Sequence, residues 1–196
     1  MNTRGSRLLL HLCCAGCSPH VIQVLKQEYD VTGFFYNPNI HPEEEYILRL
    51  EEAKKLAFHL GIELITGEYD ADRWFAETKG MEHEPEGGKR CDICFQMRLT
   101  NAAQRAHVGD FDFFTTTLTV SPHKNAALIN RIGNEVATEY DGTFLESDFK
   151  KAHGFVKTVA LCKEMGLYRQ NYCGCLYSYR KKIESNRDVW IESGRD

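Results

Sequence analysis

Apolar residues run almost without a break through Leu8–Leu12 (LLLHL) and again through Val31–Tyr36 (VTGFFY). Runs this short and this apolar predict strands buried on both faces. Between them, Pro19–Tyr29 spaces its apolar residues as a helix does, and Asn37-Pro38-Asn39 closes the second strand. A long amphipathic helix is predicted over Pro42–Leu60, with an acidic first turn suited to the helix dipole and Gly61 as its stop. Glu63–Thr66 reads as a third strand and Asp70–Thr78 as a helix. The polar, glycine-bearing stretch 79–89 (KGMEHEPEGGK) reads as a mobile loop. Beyond it the pattern predicts a helix over Cys91–His107, a strand over Phe111–Thr116, a helix over Lys124–Glu139, a short strand over Thr143–Leu145 and a helix over Phe155–Met165. A charged helix is expected over Tyr177–Ser193.

Alternating strands and helices imply one α/β domain over residues 1–196, with a mostly parallel sheet flanked by helices and a helical, cysteine-rich C-terminal part. Ligands of such sheets bind outside the carboxyl ends of the strands. Cys13, Cys14 and Cys17 follow the first strand, Asn37 the second, and Thr115–Ser121 the FDFFT strand. The polar turns are therefore expected at one edge.

Composition narrows the class. Of the 196 residues 42% are hydrophobic and 27% charged, a globular balance. No apolar run approaches a membrane span, and the short N-terminal leucine run is read as a core strand rather than a signal, so a cytoplasmic location is expected. The net charge of −4 lacks the signature of a globally basic nucleic-acid binder, leaving local patches such as Arg180–Lys182 and Lys89–Arg90.

Eight cysteines change the picture most. In a reducing compartment, clustered cysteines point to metal or redox chemistry rather than to a disulfide framework. Cys13-Cys14-Ala15-Gly16-Cys17 is predicted to open a helix, where thiolate is favoured, although the adjacent Cys13 and Cys14 are expected to point in different directions. Cys91-Asp92-Ile93-Cys94 places two thiols at metal-ligand spacing, and Asp92 is a further candidate oxygen ligand. Cys173-Gly174-Cys175 is a metal clamp or a reversible disulfide, and Cys162 stands alone in an apolar helix as a core residue. Seven clustered cysteines exceed the four ligands of a zinc site, which favours an iron–sulfur cluster plus something else, a second metal or a dithiol able to cycle.

HLCCAGCSPH, GFFYNPNIHPEEEYILR, RCDICFQMRL, FDFFTTTLTVSPHKN and YRQNYCGCLYSYRKK occur in this order across nearly the whole chain. The series resembles the QueH epoxyqueuosine reductases. That resemblance implies an oxidoreductase that removes the epoxide oxygen of epoxyqueuosine at the wobble position of tRNA with a GUN anticodon, giving queuosine. It implies a 4Fe-4S cluster, an adjacent mononuclear iron, an external electron donor and no cobalamin. Matched position by position, Cys13, Cys14, Cys91 and Cys94 are the implied cluster ligands. Cys17 falls where the family carries Cys or Asp and suits the second iron, while Cys173 and Cys175 match the CGC motif. Gly16 stands where many members have proline.

Deoxygenation needs an acid for the departing oxygen, and Asp148, His123 and Tyr172 are the candidates. Tyr36, Asn37, Asn39 and His41 are expected to contact the extruded base. Arg98 and Lys124, with Arg49, Arg90, Arg169, Arg180 and Lys181, are expected at phosphates. The Rossmann-like architecture is that of the adenine nucleotide α-hydrolase-like enzymes, so a nucleotide-dependent tRNA thiolase is one rival. It would carry SGGxDS after the first strand, where this chain has CCAGCS. A non-enzymatic zinc-binding RNA module is the other.

Overall fold

A computed structural model describes residues 5–180 and residue 183. Four strands, β1 (Ser6–His11), β2 (Tyr29–Phe35), β3 (Glu63–Thr66) and β4 (Phe113–Thr116), form one sheet in the order β3-β2-β1-β4. Every pairing is parallel, with Leu8 opposite both Val31 and Phe113, and Thr32 opposite Glu63. The chain leaves β1 toward β2 on one side and later returns to place β4 on the other, so the switch point lies beside β1.

Alternation along β1 divides the core. Leu9 joins Phe34 and Phe114 beneath α4 (Lys89–Val108) and α5 (Ala126–Glu139), meeting Leu99, Ala102, Ile129 and Val136. Leu8 and Leu10 face the other way, with Val31 and Phe35, and pack with Val21, Ile22, Ala53 and Leu56 of α1 (Pro19–Leu25) and α2 (Glu43–Leu60). The result is a sheet covered by helices on both faces, which is why Leu8–Leu10 of β1 run apolar without alternation. Gly61 caps α2 in the left-handed region at φ 61°. Gly133 of α5 lies where an added Cβ would meet the Phe144 ring at 2.5 Å. Two further helices are α3 (Ala71–Glu77) and α6 (Gly154–Glu164). No helix among the described residues is long and apolar enough to cross a membrane.

Local differences from the pattern have physical causes. Pro19–Tyr29 is helical only to Leu25, because Tyr29 pairs with Ser6 and packs edge-on against Phe113 as the first residue of β2. The CCAGC run does not open an α-helix. Cys14 is extended (φ −176°, ψ 162°), Ala15–Cys17 make a 3₁₀ turn, and the helix waits for Pro19. Thr143–Leu145 contributes one bridge, Phe144 to Phe114, rather than a strand. Lys124 precedes α5, whose cap is Asn125, accepting from the Leu128 N–H at 3.2 Å. The 79–89 stretch is turn-rich and anchored, since Arg90 donates to the Met81 carbonyl at 2.7 Å. Of the charged C-terminal helix, residues 176–180 and 183 are helical; the rest of that expectation lies outside the described residues.

Candidate metal centre

The turn after β1 is built by its neighbours. The Cys13 N–H donates to Thr117 Oγ1 at 3.1 Å, Asn37 Nδ2 donates to the Leu12 carbonyl at 2.9 Å, and Ser18 Oγ donates to the Cys14 carbonyl at 2.6 Å. The extended Cys14 followed by the tight turn folds the thiols back on each other. The sulfurs of Cys13, Cys14 and Cys17 all lie within 4.8 Å of one another, and those of Cys13 and Cys14 are 3.8 Å apart. The expected divergence of the adjacent pair is thus corrected: their sulfurs converge. Hydrogen bonds from Cys14 and Cys17 pull the Cys13 thiol well below its usual range against its burial, with Lys124 and Thr117 helping. The same bond to Cys13 pushes Cys14 up to about 12, and Cys17 is likewise driven up by Cys13 and Cys14. Cys13 is thus the member that ionises first, and a metal entering here would displace the remaining protons.

The second group gathers around the start of α4. Cys91 and Cys94 sit about one turn apart on it, where side chains share a face. Gly87 N donates to Cys91 Sγ at 3.2 Å, while burial raises the Cys91 thiol to about 11 and also raises Cys94. Cys173-Gly174-Cys175 is brought here by Arg49 of α2, which is 2% exposed. Its guanidinium donates to the carbonyls of Cys173 (3.1 Å) and Tyr172 (3.3 Å), pairs with Glu45 (2.7 Å) and lies over the Tyr172 ring. Gly174, at φ 135°, takes a conformation closed to other residues, and its carbonyl accepts from the His41 N–H at 2.8 Å. All eight cysteines are free thiols.

Two adjoining cavities result. A chamber of about 600 Å³ is lined by Cys13, Cys14, Cys17, Gln170 and Tyr172. A cramped pocket of about 30 Å³ is lined by Cys91, Cys94, Cys175 and Trp74. Asn39, Glu86, Arg98, His123, Lys124 and Cys173 border both. Burial works to lower Arg98, yet the thiols of Cys94, Cys173, Cys13 and Cys91 outweigh it and hold the guanidinium charged. Lys124 is likewise raised against its desolvation by Cys173, Cys13 and Cys17. Two fixed cations in a thiol-lined space suit an anionic metal–thiolate group.

The expected contacts sort clearly by position. Asn39 faces both cavities, with its Oδ1 buried and unpartnered. Tyr36 is packed in the core and stacked on Phe34, Asn37 holds the turn, and His41 stacks on Phe75 beside Trp74, so these three frame the site without lining either cavity. His123 is exposed at the shared border. Tyr172 lines the chamber, but its hydroxyl donates to the His41 carbonyl at 2.6 Å. Asp148 pairs with Lys150 at 3.0 Å and lines neither cavity, and Asp92 lines neither. Arg49 and Arg90 are buried and bound to carbonyls, which corrects their reading as phosphate contacts. Arg169 and Arg180 are exposed, and Lys181 lies outside the described residues.

Sequence reasoning missed Thr117, whose hydroxyl donates to Cys13 Sγ at 3.3 Å, and Gln170, whose Nε2 donates to Cys14 Sγ at 2.8 Å. Thr117 follows a strand as ligand-edge residues do; Gln170 lies within the YRQNYCGC motif, but nothing there points to its sulfur partner.

A parallel sheet with thiols at its switch point, where nucleotide enzymes of this layout place a phosphate loop, defines a Rossmann-like α/β protein with a cysteine-lined centre. The family model described as epoxyqueuosine reductase QueH matches residues 8–181, and the chain belongs to that family of oxidoreductases. An epoxyqueuosine reductase QueH of Histophilus somni is 42% identical over 97% of this chain and 80% of its own length. The one from Thermotoga maritima is 36% identical over 95% and 97%. The one from Streptococcus pyogenes is 40% identical over 87% and 69%. Among solved structures, the U34-tRNA thiolase NcsA from Methanococcus maripaludis, with its 4Fe-4S cluster, superposes with a TM-score of 0.55 at 14% identity, covering 99% of this chain and 69% of its own. That likeness is one of fold.

Proposed function

We propose that this chain reduces epoxyqueuosine to queuosine at the wobble position of tRNA with a GUN anticodon, in a chamber holding a 4Fe-4S cluster with a mononuclear iron beside it. The observation that carries the reading is the convergence of Cys13, Cys14 and Cys17 within 4.8 Å on a 600 Å³ chamber that shares a wall with four further thiols. The donor set fits the groups. Cys13 and Cys14 from one side and Cys91 and Cys94 from the other would hold the cluster, and Cys17 would hold the second iron. Seven thiols are more than zinc requires.

When bound, the iron groups supply two electrons, drawn from an external donor, and a Lewis acid for oxygen. Both C–O bonds of the epoxide break, a C=C bond forms, and two protons carry the oxygen away as water. The protein's part is to position the base, shield it and deliver protons. His123, exposed where both cavities meet, is the proton donor this arrangement favours. The Tyr172 hydroxyl is committed to a carbonyl and Asp148 to a lysine. Asn39, with its unpartnered Oδ1, reads the flipped base, while exposed Arg169 at the chamber meets phosphates. Cobalamin has no part in this scheme, and the setting is cytoplasmic.

Anaerobic purification tests the reading. A brown protein with a broad visible charge-transfer band, turning over epoxyqueuosine-containing tRNA with a chemical reductant, is expected. A colourless zinc protein without turnover would refute it and favour the RNA-module alternative.

A further inference from the structure

We propose that Gln170 is a positioning residue that holds the Cys14 sulfur and, on the reading above, raises the reduction potential of the cluster. Its Nε2 lies 2.8 Å from Cys14 Sγ, and the side chain lines the chamber. The contact is built from both ends. On one side, the segment carrying Gln170 is pinned to α2: the Tyr168 N–H donates to Glu52 at 2.8 Å, Tyr168 OH contacts both Glu45 oxygens at 3.1 Å, and Arg49 grips the Tyr172 and Cys173 carbonyls. On the other side, Gly16 leaves room. A Cβ there would stand 3.1 Å from Gln170 Oε1 and 3.5 Å from Arg169 Cγ, so the bare turn lets the amide lie against it. The Gly16 carbonyl is itself held by the Cys162 thiol at 3.5 Å. Cys13 has its hydroxyl donor in Thr117 and Cys91 its backbone donor in Gly87; Gln170 is the side-chain amide that serves Cys14.

An N–H···S bond favours the more electron-rich sulfur of a reduced cluster over that of an oxidised one. Removing it makes reduction harder without removing a ligand. Gln170→Leu keeps the bulk and loses the donor. Gln170→Glu keeps the shape and replaces the donor with an anion.

The test is an anaerobic redox titration of iron-loaded protein. Both variants are expected to shift the midpoint to a more negative value, Glu further than Leu, and to lower kcat with KM for tRNA unchanged. Gly16→Ala is expected to shift it in the same direction by less. Midpoints of both Gln170 variants equal to wild type would overturn the inference. A second readout needs no metal. In apo-protein, Gln170→Leu keeps Cys14 covered but removes a donor to its thiolate, so thiol labelling followed by mass spectrometry is expected to find Cys14 modified several-fold more slowly, and an unchanged rate counts against the contact. A wild-type protein that never binds iron but shows this labelling change sinks the cluster reading and spares the contact.

Discussion

Replacing Arg49 with Met should loosen the CGC turn from α2 and expose how much of the centre depends on one guanidinium. Arg49 is 2% exposed and makes a 2.7 Å pair with Glu45, two bonds to the carbonyls of Tyr172 and Cys173, and a stacking contact 5.0 Å above the Tyr172 ring. Removing one partner of a buried ion pair costs about 3–5 kcal/mol, because the other charge is left behind. Glu45 keeps the Tyr168 hydroxyl and some water, its side chain being 12% exposed, so the lower end applies, about 3 kcal/mol. For a chain of this size that corresponds to a fall in Tm of roughly 6–12 °C. Arg49→Lys keeps the charge but loses the fork and should sit between. Denaturant unfolding gives the stability, and thiol labelling of Cys173 and Cys175 should accelerate in Met before global unfolding. A loss below about 1 kcal/mol with unchanged labelling would refute the claim that Arg49 anchors the turn.

Other outcomes follow from the same coordinates. Burial lowers His41 to about 4, below its unfolded value, so its contribution is complete above about pH 6.5 and fades as pH falls toward 4. His41→Gln should flatten that acid limb by up to about 3 kcal/mol, read from urea midpoints across pH. Gly133→Ala drives a methyl into the Phe144 ring and should cost about 1–3 kcal/mol by the same measurement. Cys162 is fully buried away from both cavities, so Cys162→Ala should lose about 1 kcal/mol yet keep its iron, whereas Cys14→Ala should lose iron on quantification.

The sheet was legible because its signals are local. LLLHL, VTGFF, ELIT and FFTT are strands, and the acidic start and Gly61 stop bracket α2. The cysteine groups were legible as groups but not as a geometry. Whether Cys13 and Cys14 converge depends on the extended Cys14 backbone and on Thr117, 104 residues away. Arg49 and Arg90 read as phosphate contacts because nothing nearby in sequence reveals the distant carbonyls they satisfy. Lys124 read as helical because one residue, Asn125, decides where α5 begins and so frees the lysine to turn inward. Gln170 sits in a legible motif, but its role does not show, its partner lying 156 positions earlier.

The turn after β1 has a consequence for how such a protein can change over evolutionary time. The strand ladder ends at His11, and the thiols beyond it are steadied by Thr117, Gln170 and the Cys162 thiol rather than by the sheet. Substituting a handful of loop positions would therefore exchange one reactive inventory for another while every strand kept its register. The scaffold is in that sense modular: its crevice can be refitted for anions or for soft cations without the core having to renegotiate a single layer.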